Sequence, residues 1–188
     1  LRKEVEARIA LLERAILLEE PLKNAKILLQ EALKGGKKIL VFGNGGSAAD
    51  AQHFVCELVG RYKRERTGLP AIALSSDPSV VTAVSNDYGY ARVFARQVEA
   101  LGTPGDVAIA ITTSGRSENV LQGARKAKEK GLRLIALLGK NPSPLKSLSD
   151  VVLTVSSEDT PLIQEIHTML LHLLAKGIEQ SLGEEENL

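Results

Sequence analysis

The segment Ile39-Leu40-Val41-Phe42-Gly43-Asn44-Gly45-Gly46-Ser47-Ala48-Ala49-Asp50-Ala51-Gln52-His53-Phe54-Val55-Cys56-Glu57 decides the fold. Lys37 to Phe42 predicts a strand, a glycine-rich turn follows it, and a helical pattern opens directly on the turn. The turn offers backbone amides to an anionic or polar ligand. In the helix, His53 and Glu57 stand four residues apart, about 6 Å along the axis, so a nitrogen base and a carboxylate leave the same face.

The rest of the chain repeats this unit. Short apolar runs at Pro70 to Leu74, Val107 to Ile111, Leu132 to Leu138 and Val151 to Val155 alternate with helical patterns. Those patterns fall near Ser47 to Tyr62, Val80 to Ser85 with Ala91 to Leu101, Ser117 to Lys130, a turn near Leu145, and Thr160 to Leu182. Two helices precede the first strand: Arg2 to Glu20 and Leu22 to Leu33, separated by Pro21 and stopped by Gly35-Gly36. Parallel strands need crossover connections, and strands that are apolar throughout are buried on both faces. The expectation is an α/β fold: a three-layer αβα sandwich with a five-stranded parallel sheet, an N-terminal helical pair and a long C-terminal helix. One domain spans 1–188, with 37–182 as its α/β core and final helix.

Composition excludes several classes. The 188 residues carry 24 Lys and Arg against 23 Asp and Glu, so no basic field invites nucleic acid. A 3% aromatic fraction without Trp removes the stacking platforms of single-strand binders. No charge block suggests a disordered tail beyond the short Glu184-Glu185-Glu186 end. No apolar run approaches the roughly 20 residues of a membrane span, and no signal peptide is visible. A single cysteine, Cys56, excludes a disulfide framework and reads as a small buried helix residue. The chain is expected to be cytoplasmic.

Ligands in such sheets bind where strand C-terminal ends meet helix N-termini. Three segments qualify: the Gly43 to Ser47 turn, a polar turn Ser85-Asn86-Asp87-Tyr88-Gly89, and Thr112-Thr113-Ser114-Gly115-Arg116-Ser117. The last puts hydroxyls of Thr112, Thr113, Ser114 and Ser117 beside the free amides of a helix start, a cradle for phosphate. Capping by Ser114 or Ser117 would explain one hydroxyl, not four. Gly43, Gly45 and Ala48 also fit a loose dinucleotide fingerprint, but no acidic residue stands about 20 positions on at the end of a second strand. A nicotinamide or flavin enzyme is not expected.

Polar residues also interrupt the apolar final helix: Gln164, His167 and His172. Polar groups in such surroundings need partners, and His53 with Glu57 could supply them, although an isolated His/Glu pair is commonly just a solvated one. At 100° per residue His167 and His172 lie roughly 140° apart, so both cannot easily face one site. Spacing does not choose between them, and about 12 Å separates Gln164 from His172 along the axis, wide for one metal.

With these residues on view, the chain resembles the sugar isomerase (SIS) superfamily and, within it, the bacterial phosphoheptose isomerases. The match runs through Gly43-Asn44-Gly45-Gly46-Ser47, Asp50-Ala51-x-His53-Phe54, Glu57-Leu58-x-Gly60-Arg61-Tyr62, Asn86-Asp87, Thr113-Ser114-Gly115-x-Ser117 and Ile163-Gln164-Glu165-Ile166-His167 with His172. It implies the flavodoxin-like SIS fold and isomerisation of sedoheptulose 7-phosphate to D-glycero-D-manno-heptose 7-phosphate, the entry to ADP- and GDP-heptose for bacterial surface polysaccharide. It further implies a cytoplasmic homotetramer packed partly through residues 1–35, with active sites between subunits and one zinc per subunit. The zinc ligands carried over are His53, Glu57, Gln164 and His172. Asn44, Gly45, Gly46, Ser47, Asn86 and Asp87 would contact the sugar, and Thr112, Thr113, Ser114 and Ser117 would hold the phosphate. The choice of His172 over His167 comes from this resemblance.

Aldose–ketose exchange moves a carbonyl from C2 to C1 through an enediol. Glu57 can serve as base and His172 as acid. Glu57 cannot be a tight ligand and a free base at once, so either the coordination is loose or the roles alternate. Two departures from the pattern stand out: Pro161-Leu162 precedes Gln164 where some relatives carry Asp-Arg, and Ala48-Ala49 replaces bulkier residues. The rival expectation is a catalytically silent SIS tetramer of the replication initiator-associating type, a binding platform that lacks the carboxylate and histidine found here at Glu57 and His172. A third is a sugar-phosphate-sensing regulator.

Overall fold

The computed structural model describes residues 1–185; Glu186 of the acidic end lies outside them. Strands β1 (Ile39–Gly43), β2 (Ala71–Ala73), β3 (Val107–Thr112), β4 (Arg133–Leu138) and β5 (Val151–Thr154) form one parallel sheet in the order β2-β1-β3-β4-β5. Helices α1 (Arg2–Ala15), α2 (Glu19–Lys34), α3 (Gly46–Val59) and α8 (Thr160–Glu185) cover one face; α5 (Val93–Leu101), α6 (Glu118–Glu129) and α7 (Leu145–Leu148) cover the other, with α4 (Pro78–Tyr88) beside them.

Alternation along the strands builds both cores. Ile39, Val41, Val107, Ile109 and Ile111 pack with Phe54, Leu58, Leu171 and Leu174 on the first face, while Leu40, Phe42, Ala108 and Ala110 pack with Phe94, Val98 and Val120 on the second. Period-2 geometry sends neighbours to opposite faces, and the twofold burial explains why the strands are apolar throughout. The order β2-β1-β3 reverses direction between β1 and β3, the crevice in which ligands of doubly wound sheets bind.

Some local expectations shift. The N-terminal helices divide at a 3-10 turn, Ile16–Leu18, and not at Pro21. Pro21 occupies the first turn of α2, where an amide has no intrahelical partner to lose. Ser85 to Tyr88 are not a polar turn but the last turn of α4, whose start is capped by Asp77 accepting from the amides of Ser79 and Val80 at 2.9 and 3.1 Å. The helix after the glycine turn stops at Val59 instead of Tyr62. Cys56 is exposed, because α3 buries Ala51, Phe54 and Leu58 and turns Cys56 away from that face.

At the opposite end of the sheet, buried Asp106 fastens β1 to β3. It accepts from the Lys38 amide (3.0 Å) and ammonium (2.6 Å) and from the Thr103 amide (2.8 Å) and hydroxyl (2.9 Å). Burial works to raise its pKa, but these donors together hold it below the usual carboxylate range. Its stabilisation is therefore complete at neutral pH and is lost only as pH falls below about 3.9. Asp106→Ala should lower unfolding free energy by about 3 kcal/mol in urea titrations, since it strands a cation and two amides. Turnover measured well below the melting temperature should not change, because Asp106 sits at the strand ends remote from the crevice.

Candidate active site

The two loops of the crevice are held together by one side-chain network. Asn44, at the end of β1, exchanges hydrogen bonds with Asn119 in the first turn of α6: each Nδ2 donates to the other's Oδ1 at 2.8 Å. The Tyr90 hydroxyl donates to the same Asn44 Oδ1 at 2.9 Å. That oxygen is saturated, so the second Nδ2 hydrogen is what the Asn44 side chain can offer a sugar. Asn86 and Asp87, bonded to each other at 2.8 Å, are exposed on the last turn of α4, just before the segment that Tyr90 ties to the glycine turn.

The Ser/Thr loop brings two of its four hydroxyls, those of Thr112 and Ser114, side by side. Thr112 Oγ1 accepts from the Gly115 amide (3.2 Å) and lies 3.5 Å from Ser114 Oγ, which accepts from the Arg116 amide at 3.3 Å. Ser117 is the N-cap of α6, yet its side chain makes no capping bond, so its hydroxyl is not spent on the helix. Gly115 has φ of +68°, and any Cβ there would meet Ser143, whose hydroxyl pins the loop by donating to the Gly115 carbonyl at 2.7 Å.

A polar seam runs between α3 and α8. At its start the Gln164 amide rests against Gly46, where any side chain would collide with it. Next, the Thr168 hydroxyl donates to Asp50 Oδ1 at 2.8 Å. Burial pushes the Asp50 carboxyl above its ordinary range, against the pull of Thr168 and of nearby His53. Further along, His53 Nε2 and His172 Nε2 stand 2.7 Å apart, and Glu57 Oε1 is 3.7 Å from His53 Nε2. One ligand atom from each of His53, Glu57 and His172 lies within 4.8 Å of the others, the one such group among the described residues. Two imidazole lone pairs aimed at one point repel unless a proton or a cation sits between them, and the added carboxylate supplies negative charge for a cation. Gln164 belongs to the same seam but reaches Gly46 in this arrangement.

His167 does not join this cluster. Fully buried, it donates from Nε2 to the Leu138 carbonyl at 3.3 Å, which leaves Nδ1 as the acceptor without a partner among the described residues. Burial drives its pKa down to about 4, only partly countered by that bond. A depressed histidine pKa stabilises the fold fully above about pH 6.5 and loses that contribution as pH falls towards 4, roughly 3 kcal/mol in all. The difference in urea midpoint between wild type and His167→Gln should accordingly shrink from pH 7 to pH 4.

Comparison with known proteins decides the family. Residues 5–139 match the SIS domain model. Over 163 residues the chain is 55% identical to the phosphoheptose isomerase of Helicobacter pylori strain P12, covering 87% of this chain and 85% of that one. The chain belongs to the phosphoheptose isomerases. Phosphoheptose isomerases of known structure superpose over nearly its whole length: GmhA of Neisseria gonorrhoeae (TM-score 0.90, 39% identity, 95% and 96% of the two chains) and the Francisella tularensis protein (TM-score 0.92, 37% identity, the same coverage). It is an isomerase, and its sheet with the long C-terminal helix is the SIS fold.

Within this phosphoheptose isomerase, Asn119, Tyr90 and Thr168 escaped the sequence reading. Asn119 looked like an ordinary polar residue early in a helix, although it falls two positions after Ser117, and Tyr90 reaches Asn44 only through tertiary folding. Asp50 lay inside the quoted motif without a role, and its i, i+3 relation to His53 was the available signal.

Proposed function

We propose that this isomerase converts D-sedoheptulose 7-phosphate to D-glycero-D-manno-heptose 7-phosphate, the first step of bacterial heptose biosynthesis leading to ADP- or GDP-heptose and lipopolysaccharide. The observation that carries the reading is the convergence of His53, Glu57 and His172 from two helices, in a chain whose β1/β3 crevice also carries a hydroxyl-bearing loop at a helix start. His53, Glu57 and His172 would hold zinc, one per subunit, with Gln164 completing the set; two ring nitrogens and a carboxylate oxygen suit that ion. A divalent cation there would act as a Lewis acid on the substrate carbonyl.

Each remaining role belongs to a residue of the chain. Thr112, Thr113, Ser114 and Ser117, with the first amides of α6, hold the phosphate. The Ser47 amide is spent on the Asn44 carbonyl at 3.0 Å, so the backbone amides of Gly45 and Gly46, with the Ser47 hydroxyl, Asn44, Asn86 and Asp87, orient the sugar. Glu57 removes a proton from C1, and His172 gives one to the oxygen on which negative charge develops. Glu57 then returns its proton at C2 while the C1 hydroxyl gives its proton back to His172, which leaves the aldehyde at C1 and both residues in their starting states.

The working unit is proposed to be a cytoplasmic homotetramer of single SIS domains, each spanning 1–188, with active sites between subunits. In support, His53 keeps 43% of its side-chain exposure in one chain, and Val5, Ile9, Leu12, Ile16 and Leu17 of the N-terminal helices are 45–79% exposed. No helix among the described residues is long and apolar enough to cross a membrane. Turnover in deuterated water tests the chemistry. Deuterium at C2 of the aldoheptose, and at C1 of recovered ketose, is the expected result, and its complete absence from both would contradict proton transfer through an enediol. Phosphosugar binding without any aldose product would favour the sensing regulator.

A further inference from the structure

Catalysis by residues on two helices requires that the helices keep a fixed spacing, and one buried pair fastens them. Arg66 follows α3 in the loop leading to β2, and its guanidinium donates to the carbonyls of Glu57 (2.7 Å), Leu58 (2.8 Å) and Thr67 (2.9 Å). The first two belong to the last helical turn and lack intrahelical partners; the Leu58 carbonyl also accepts from the Leu69 amide at 3.0 Å. Glu179 extends from α8 to the same place. Its carboxylate accepts from the amides of Tyr62 (3.2 Å) and Lys63 (3.0 Å) and lies 3.6 Å from Arg66 Nε, with side-chain exposures of 6% and 5% for the arginine and the glutamate. Seven residues separate His172 from Glu179, so the two leave nearly the same face of α8 about two turns apart. The loop that Glu179 grips also sets the Tyr62 ring 5.8 Å from the His172 ring.

We propose that Arg66 and Glu179 are positioning residues for the acid–base and metal cluster, an inference that rests on the proposed function of that cluster. Arg66 clamps the end of α3 that carries Glu57 and His53, Glu179 joins the same clamp to the helix carrying His172, and neither touches substrate. The Asp50–Thr168 bond ties the seam at its other end, so loss of the clamp frees one end only and the fold persists. Lysine in place of Arg66 keeps the charge, but a single ammonium cannot span three carbonyls as the planar fork does. Glutamine in place of Glu179 keeps one acceptor for the loop amides and leaves the arginine charge buried without its counter-charge.

Arg66→Lys and Glu179→Gln test this as separate variants of the full chain. Cobalt(II) affinity, read by competition with a chromophoric chelator, should fall about 10- to 100-fold in each, the scale seen when groups that orient metal ligands are removed. Turnover should fall comparably while KM for sedoheptulose 7-phosphate stays within about threefold, because the phosphate loop lies on other elements. In metal-free protein, the imidazole NMR signals of His53 and His172 should shift and those of His167 should not. Variants that melt earlier but keep wild-type cobalt affinity and wild-type imidazole signals would overturn the proposal and make the pair purely structural. A wild type that neither binds cobalt nor turns over the ketose would refute the function instead; the imidazole signals of the metal-free variants would still decide the positioning.

Discussion

Replacing Glu57 by glutamine is expected to reduce turnover of sedoheptulose 7-phosphate by about 10³-fold or more, at the upper part of the range for losing a general base. The amide has the same shape but accepts no proton and binds a cation poorly. Glu57 has 16% side-chain exposure, and its visible partner is His53 on the same helix, 3.7 Å away and 43% exposed. Such a pair contributes only about 0.5 kcal/mol, so melting temperature and oligomeric state should stay near wild type. KM should change little, since phosphate contacts are made by the loop after β3. Product formation by NMR and size-exclusion chromatography check both halves, and wild-type-like turnover by Glu57→Gln would remove the carboxylate from the mechanism.

Replacing His172 by glutamine is expected to cost about 10²- to 10⁴-fold in turnover through loss of the proton donor. Zinc affinity should drop by more than the roughly 100-fold limit typical of groups that merely support a ligand. His167→Gln supplies the contrast. His167 is sealed against the Leu138 carbonyl and touches neither His53 nor Glu57, so its variant should lose stability at neutral pH while retaining metal affinity. Equal effects of the two substitutions on zinc binding, measured by chelator competition, would contradict the separation of their roles.

That separation shows what one sequence can and cannot reveal. Helical angles showed that the two late histidines diverge, and the structure sends His172 to the cluster and His167 to the core. The angles could not say which went where, because that depends on how α8 rotates against α3 and the sheet. The strand runs were legible because double-sided burial makes them apolar from end to end; the hydroxyl loop was legible because its residues are contiguous. Residues that act through distant partners were not: Asn119 matters because it meets Asn44 across 75 positions, and Arg66 because it folds back on the carbonyls of Glu57 and Leu58. Glu179 did leave a trace, as a charge seven residues from His172 and so on nearly the same face of the final helix. Cys56 misled because free cysteine is usually buried, and which face of α3 lies against the sheet is a tertiary outcome.

The most direct measurement is the simplest one. Purified protein incubated with D-sedoheptulose 7-phosphate should form the aldoheptose 7-phosphate; dipicolinate should stop the reaction and added zinc should restore it. Binding of the ketose without any aldoheptose, in protein shown to be folded and zinc-loaded, would contradict the account.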